Sequence, residues 1–445
     1  MLSATGAGLT DAVRSAALRL TGAASDWDSL MELIGDARFV LLGAASHGTH
    51  EFYHARAEIT KRLIQEKGFA AVAVEADWPD AYRVNRFVRG AGETSIEALD
   101  GFERSGAWMW RNVDVLDFIG WLREYNDALP AGAPAAGFYG LDLYSLSASI
   151  QEVLNYLDRV DPTSAKRARQ RYSCLGHVSE KNPLCKDAFG FNFSESCQKE
   201  LVKQLVELQR RAGEYKQRDS RLAEDEFFYA EQNARLVKNA EQYYRSMFGG
   251  RASSWNLREH HMAETLDVLV AHLDRQGRAA KIAVWAHNSH LGDARATEMG
   301  DLDEFNVGEL VRQRYKGDAV LVGLTANTGT VTAAAGWGGP AGRVRVPPAL
   351  PDSYEALFHE TGIPSFLLPL HDDPIAAGLR PRRMERAIGA VYDPEMELVS
   401  NYFYASLSHQ FDAVVYFDVA RAVEPVETAG ESQTDGVPQT FPSSL

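Results

Sequence analysis

RFVLLGAASHGTHEF at residues 38 to 52, with FAAVAVEAD following at residues 69 to 77, is the part of the chain that decides the fold. Phe39 to Leu42 is a short apolar run ending on Gly43, and Phe69 to Val74 repeats it, as expected of parallel strands buried on both faces. Between them Phe52, Ala55, Ile59 and Leu63 recur at helical spacing, and Gly68 stands where a left-handed C-cap belongs. The unit reads as a strand, a helix and a second parallel strand. In open parallel sheets ligands bind outside the carboxyl ends of the strands, and His47, His50, Glu75 and Asp77 all lie just past those ends.

Far downstream the pattern recurs. KIAVWA, residues 281 to 286, reads as another strand and runs into His287, Asn288, Ser289 and His290. A third strand, Ala136 to Leu141, ends in Asp142, which either joins these groups or helps to start the next helix. Leu9 to Leu20 and Trp27 to Leu33 read as two leading helices on one face of the sheet. Phe102, Trp108 and Trp110 cluster in an aromatic loop before a helix over Val113 to Leu129. From residue 145 to 278 strand patterning gives way to amphipathic helices, a block suited to roofing a cleft, in which Trp255, Asn256, Arg258 and Glu264 either line that cleft or form a solvated face. The Gly- and Pro-rich stretch after Ala319 to Thr325 reads as a long loop, with Trp337 and its glycines as lid candidates. Strands are expected over Ser365 to Leu370, Arg386 to Tyr392 and Asp412 to Phe417, and a disordered tail from Glu427. The expected architecture is α/β, a mainly parallel central sheet flanked by helices with a large helical insertion, as one domain over residues 1 to 426.

Composition narrows the function. The formal net charge of -15 over 445 residues, with no basic stripe, argues against nucleic acid. No stretch is apolar and long enough to span a membrane, and the N-terminus lacks the pattern of a leader, so a cytoplasmic protein is expected. Cys174, Cys185 and Cys197 show no metal-ligand spacing, and their odd number argues against a disulfide framework, so they read as bystanders. No glycine-rich phosphate loop and no GxSxG elbow is present.

Histidines at strand ends, backed by carboxylates, suit proton removal from water near neutral pH, which makes hydrolysis the natural reaction class. Arg56, on the helix after the first strand, is placed to approach an oxyanion or a carbonyl, or else to pair with Glu58 or Glu51 on the surface. The competing chemistry is a metal site, because HGTH and HNSH with Glu75 or Asp77 offer ligands for zinc or manganese; the two histidines of each pair sit in turns and need not face one centre.

LLGAASHGTHEFYHARAEITKRLI, VAVEADWPDAYRVNRFVRG, GFYGLDLYS, SSWNLREHHMAETL and VWAHNSHLGDARATEMG together resemble the erythromycin esterase family, in order from the first strand to near Pro425. The resemblance implies a hydrolase that needs no cofactor, opens an ester or macrolactone without a metal, and takes His47 as general base with Arg56, Glu75 and His287 beside it. His50, Asp77, Trp108, Trp110, Asp142, Arg258, His290 and Trp337 are then candidates to contact a small-molecule substrate. The chain departs from the family pattern at one position. Where the family has Gly-Glu two residues before Ser-His or Thr-His, this sequence has Gly43, Ala44, Ala45, Ser46 and His47. Ala44 removes a carboxylate that would serve the base, so a weakened enzyme, or a ligand-binding relative with little turnover, is the further alternative.

Overall fold

The computed structural model of the chain describes residues 6–92, 94–103, 106–175, 195–216, 221–247, 251–277, 279–336, 339–371 and 373–426. Trp337, Cys185 and the tail from residue 427 lie outside them. The strands are β1 (Leu18–Arg19), β2 (Phe39–Leu42), β3 (Ala71–Asp77), β4 (Gly137–Asp142), β5 (Ile282–Trp285), β6 (Ala319–Ala334), β7 (Ala341–Val346), β8 (Ser365–Pro369), β9 (Arg383–Arg386), β10 (Tyr402–Ala405) and β11 (Ala413–Ala420). The main sheet runs β1-β8-β11-β6-β2-β5-β3-β4, with β7 paired to β6, while β9 and β10 form a separate ribbon. From β4 across to β11 every pairing is parallel, and only β8, β1 and β7 add antiparallel pairs at the margins.

Side-chain alternation divides the core in two. Phe39 and Leu41 face one apolar cluster, which the helices of residues 146–275 complete; Val40 and Leu42 face the other, which holds Phe52, Ile59 and Leu63 of the His50–Lys67 helix. That helix ends on Gly68, whose φ of 71° is the left-handed cap expected. The helical block comprises Leu146–Val160, Pro162–Tyr172, Glu195–Arg210, Ala212–Lys216, Arg221–Ser246 and Arg251–Arg275. Its last helix lies against β4 and brings Arg258 over the strand ends.

Four expectations are corrected. Residues 18 and 19 are not helical but form the edge strand β1, paired to β8, and the two leading helices lie on opposite faces, with Leu9 and Val13 in one cluster and Leu30 and Ile34 in the other. The supposed long loop is for the most part a hairpin: β6 runs on to Ala334 and pairs in register with β7, burying Val331, Ala333 and Val346, while the lid candidate Trp337 lies outside the described residues. The strand expected over Arg386 to Tyr392 is instead β9, Arg383–Arg386, held by its pairing with β10, and past it Ile388 and Val391 make only isolated bridges to Ser46 and Ala334. Cys174 and Cys197 are not bystanders; they form a disulfide that ties the Pro162–Tyr172 region to the Glu195–Arg210 helix. Among the described residues no helix is long and apolar enough to cross a membrane.

Candidate active site

At the carboxyl ends of β2, β3, β4 and β5 the chain delivers His47, Glu75, Asp142, His287 and His290, and the helix Arg251–Arg275 adds Arg258 and Glu259 from above. Strand order changes direction here, since β2 has β5 on one side and β6 on the other. Two glycines permit the close packing. A Cβ on Gly43 would sit 2.1 Å from Asn288 Oδ1, and one on Gly48 would sit 1.9 Å from the Thr332 carbonyl oxygen, so the turn carrying His47 is pressed between the His287 turn and β6.

Glu75 is the hub. Arg258 Nη2 donates to its Oε1 at 2.9 Å, His290 Nε2 lies 3.1 Å from the same oxygen, and the His287 backbone N–H donates to Oε2 at 2.8 Å. Arg258 also bridges to Asp142, at 3.0 Å from Nε and 2.7 Å from Nη2, and lies over the Tyr144 ring at 5.0 Å. Asp142 Oδ1 accepts from the Leu143 N–H, and its carboxylate is otherwise committed to Arg258, while the following helix starts after Ser145, whose side chain makes no capping bond. His290 is held from behind by Glu259, 2.5 Å from Nδ1, and stacks on Trp255 at 4.8 Å.

Charge follows from these contacts. Burial alone raises the Glu75 pKa, but His290, Arg258 and, when protonated, His47 outweigh it and hold the carboxyl well below its usual range. Burial lowers His290, yet Glu259 and Glu75 reverse that and raise it to about 9, so it is a cation at neutral pH. His47 goes the other way: burial lowers it to about 4 although Glu75 pulls upward, with His290, Arg56 and Arg258 opposing protonation. His287 is also held well below its usual range by burial and by His47, and its Nδ1 accepts from the Ser289 N–H at 3.2 Å, which puts the neutral ring's proton on Nε2. His47 and His287 lie with ring centroids 5.0 Å apart, and His47 Nε2 is 3.9 Å from Glu75 Oε1, too far for a direct hydrogen bond but close enough for the carboxylate to act on the ring's charge. With its side chain 18% exposed, against 11% for Arg258, 6% for Glu75 and 4% for His290, His47 is the most exposed of these four.

Other expected site residues are elsewhere. Arg56 is buried beneath the strand ends; its Nε donates to the Leu42 and Gly43 carbonyls at 3.1 Å and Nη2 to that of Ala286, so it clasps β2 to β5 and makes no surface pair with Glu58 or Glu51. His50 turns away to Asp114, 2.8 Å distant. Trp108 and Trp110 are buried in the cluster under the His50–Lys67 helix, and Trp110 reaches the site only as a donor to the Glu75 backbone carbonyl at 3.0 Å. Asp77 lies in register with Asp142 at the end of β3. Ala44 is 1% exposed and offers its backbone carbonyl to the Asn288 N–H at 2.8 Å. The two HxxH pairs do not converge on one centre, and among the described residues no group of three or more His, Cys, Asp or Glu is arranged to hold a metal ion.

Sequence reasoning missed Glu259. Trp255, Arg258, Glu259 and Met262 follow helical spacing and share one face, which was the available signal. Glu264 faces Arg235 and Asn239 instead.

A family model described as erythromycin esterase matches residues 64–420, which takes in Glu75, Asp142, Arg258, His287 and His290 and starts after His47. Erythromycin esterase type II of Escherichia coli is 22% identical over 319 residues, covering 69% of this chain and 73% of that protein. A putative hydrolase of Bacillus subtilis (strain 168) is 22% identical over 326 residues, 67% of each chain. Among solved structures, a Bacillus cereus protein superposes with a TM-score of 0.78 at 20% identity, over 95% of this chain and all 100% of that one. A mutant erythromycin esterase in its open conformation gives 0.64 at 18% identity, over 90% and 94%. At these identities the structural likeness speaks for the fold.

Proposed function

The chain belongs to the erythromycin esterase family, and from that premise we propose that it is a hydrolase in which His47 is the general base that activates water against an ester or macrolactone, without a metal. One observation carries this: a neutral, solvent-touched imidazole stands 3.9 Å from a carboxylate that a histidine cation and an arginine keep ionised. A water at His47 Nε2 gives one proton to the imidazole as its oxygen attacks the acyl carbon, and the Glu75 charge favours the imidazolium that forms; the tetrahedral intermediate then collapses by breaking the bond from the acyl carbon to the alcohol oxygen, and the imidazolium returns the proton to the departing alkoxide, leaving acid, alcohol and a neutral His47. His290 and Arg258 fix Glu75 and add positive charge beside the acyl oxygen. Arg56 acts by holding the strand ends together.

Position 44 tests how far Glu75 can serve alone. With alanine there, Glu75 is the carboxylate left to support His47, and turnover is expected to be slow but real. The substrate class follows the name of the Escherichia coli relative, a macrolide ester or lactone. A cytoplasmic place of action belongs to the same proposal; the Cys174–Cys197 pair pulls against it, since cytosolic thiols are kept reduced.

The test is incubation of the protein with erythromycin and with simple aryl esters, in buffer and with excess chelator, followed by mass spectrometry. Products carrying one added water, formed equally with chelator, are expected. Chelator-sensitive turnover would move the site to metal chemistry, and tight binding with no product would make the chain a ligand-binding relative.

A further inference from the structure

Behind the His287 turn lies a second cluster of polar groups that the proposed hydrolysis does not use. A cavity with room for about one water is lined by Asn288, Thr325, Tyr354, Glu355, Glu385 and Phe411. Glu355 and Glu385 are both buried, at 0% and 2% exposure. Glu355 meets donors: the Thr325 hydroxyl at 2.7 Å and the Arg386 backbone N–H at 3.2 Å, both on Oε1. Glu385 Oε1 accepts from Asn288 Nδ2 at 3.3 Å, and the Gln410 amide also bonds to this carboxyl. The second oxygen of each glutamate, Oε2, is buried with no hydrogen-bond partner. Two buried carboxyl groups with bare oxygens on one cavity carry a desolvation cost that a proton on Glu385 relieves.

Nearby charge does not remove this need. Arg386 is committed to Glu397 at 2.8 Å and to the Ala326 and Asn327 carbonyls, and the Tyr354 hydroxyl donates among the backbone carbonyls of Leu379, Pro381 and Ala405. Arg383, two residues before Glu385 on β9, acts on Tyr354. Asn288, in contrast, is tied directly to the site. Its backbone N–H holds the Ala44 carbonyl, its Nδ2 donates to the Leu324 carbonyl at 3.2 Å, its Oδ1 accepts from the Leu324 N–H at 3.4 Å, and it lies between His287 and His290 in sequence.

We propose that Glu385 is a positioning residue: it is the proton donor of an acid pair with Glu355 across this cavity, directly or through one water, and through Asn288 it fixes the turn that carries His287 and His290. Burial, with Glu355 adding to it, pushes the Glu385 carboxyl well above its usual range, in keeping with the donor role. The effect on turnover rests on the hydrolase proposed above; the proton and the fixing of the turn do not.

Four readouts test the two. Infrared difference spectra of the full chain should show a protonated-carboxyl band at neutral pH that Glu385→Gln removes. The imidazole NMR signals of His287 and His290 should stay in place in Glu385→Gln, whose amide keeps an acceptor for Asn288 Nδ2 and a donor toward Glu355, and shift in Glu385→Leu, which has neither. With an aryl ester that the parent hydrolyses, Glu385→Gln should keep kcat within about threefold, and Glu385→Leu should lose about tenfold in kcat with KM held, the scale of one hydrogen bond. Because the folded carboxyl holds its proton to higher pH than the unfolded one, stability falls as pH rises above about 4.5, and Glu385→Gln should flatten that fall. A band that survives in Glu385→Gln, or His287 and His290 signals that move equally in both variants, overturns the proposal even if the parent proves inactive. Turnover that fails while band and signals behave as stated overturns the hydrolase alone.

Discussion

HGTH and HNSH are spelled alike and do different things. In the first turn Thr49 is the N-cap and the helix begins at His50, so the second histidine is already part of a helix leading away and pairs with Asp114, while His47 alone faces the site. In the second turn His287 is itself the N-cap of a short helix, Asn288–Leu291, and His290 falls on its third residue, where a side chain reaches back toward the cap. Both histidines of the second turn therefore stay with Glu75. A spacing of three does not decide which side chains meet; the residue at which the helix starts does.

The protonation states diverge in the same way. His290, between Glu75 and Glu259, is raised to about 9, whereas His47, with one carboxylate at a distance, is lowered to about 4. One turn supplies a fixed positive charge and the other a free base. Breaking the hub that sets this contrast should have the largest effect. Glu75→Gln leaves the buried Arg258 and His290 short of a partner, so a loss of roughly 3–5 kcal/mol in stability is expected, read as a lower denaturation midpoint. Turnover should drop by about 100-fold or more in the same variant. Unchanged stability would mean that Asp142 and Glu259 suffice to hold the cations.

Ala44→Glu sharpens the comparison from the other side, since it gives His47 a second carboxylate and so brings its surroundings closer to those of His290. Hydrolysis is expected to rise by about a hundredfold with little change in ligand affinity. Stability should fall, because the new side chain enters a position now 1% exposed. No gain on any ester or lactone would remove position 44 from the mechanism. The smallest effect belongs to the residue that looks most like a site histidine and is not one: His50→Asn should leave kcat/KM within about threefold and cost on the order of 1 kcal/mol by losing its half-exposed bond to Asp114. A large loss of turnover there would bring His50 back into the site.

Much of this was legible in the sequence where local pattern and final structure agree. β2 through β5 announce themselves as apolar runs that end in polar residues, and parallel sheets gather such ends along one edge, which places His47, Glu75, Asp142, His287 and His290 together. What stayed hidden depends on partners distant in the chain. β1 is two residues long and exists because β8 pairs with it. The glycines between β6 and β7 read as loop, and the alternation of Val331 and Ala333 against Val344 and Val346 shows only once the two strands are laid side by side. Glu259 looked like one more charge on a helix until His290, 31 residues away, supplied its partner.

The central claim is that His47 works as a neutral base beside a histidine that stays cationic, and the pH dependence of kcat/KM on a hydrolysed ester tests it most directly. His47 must be unprotonated and His290 protonated, so the rate should rise with pH through about 4, hold level across neutral pH, and fall through about 9. In His290→Asn the alkaline limb should disappear while the acid limb remains. A profile that instead rises through about 6.5, the value of an unperturbed histidine, and shows no alkaline limb would contradict the account.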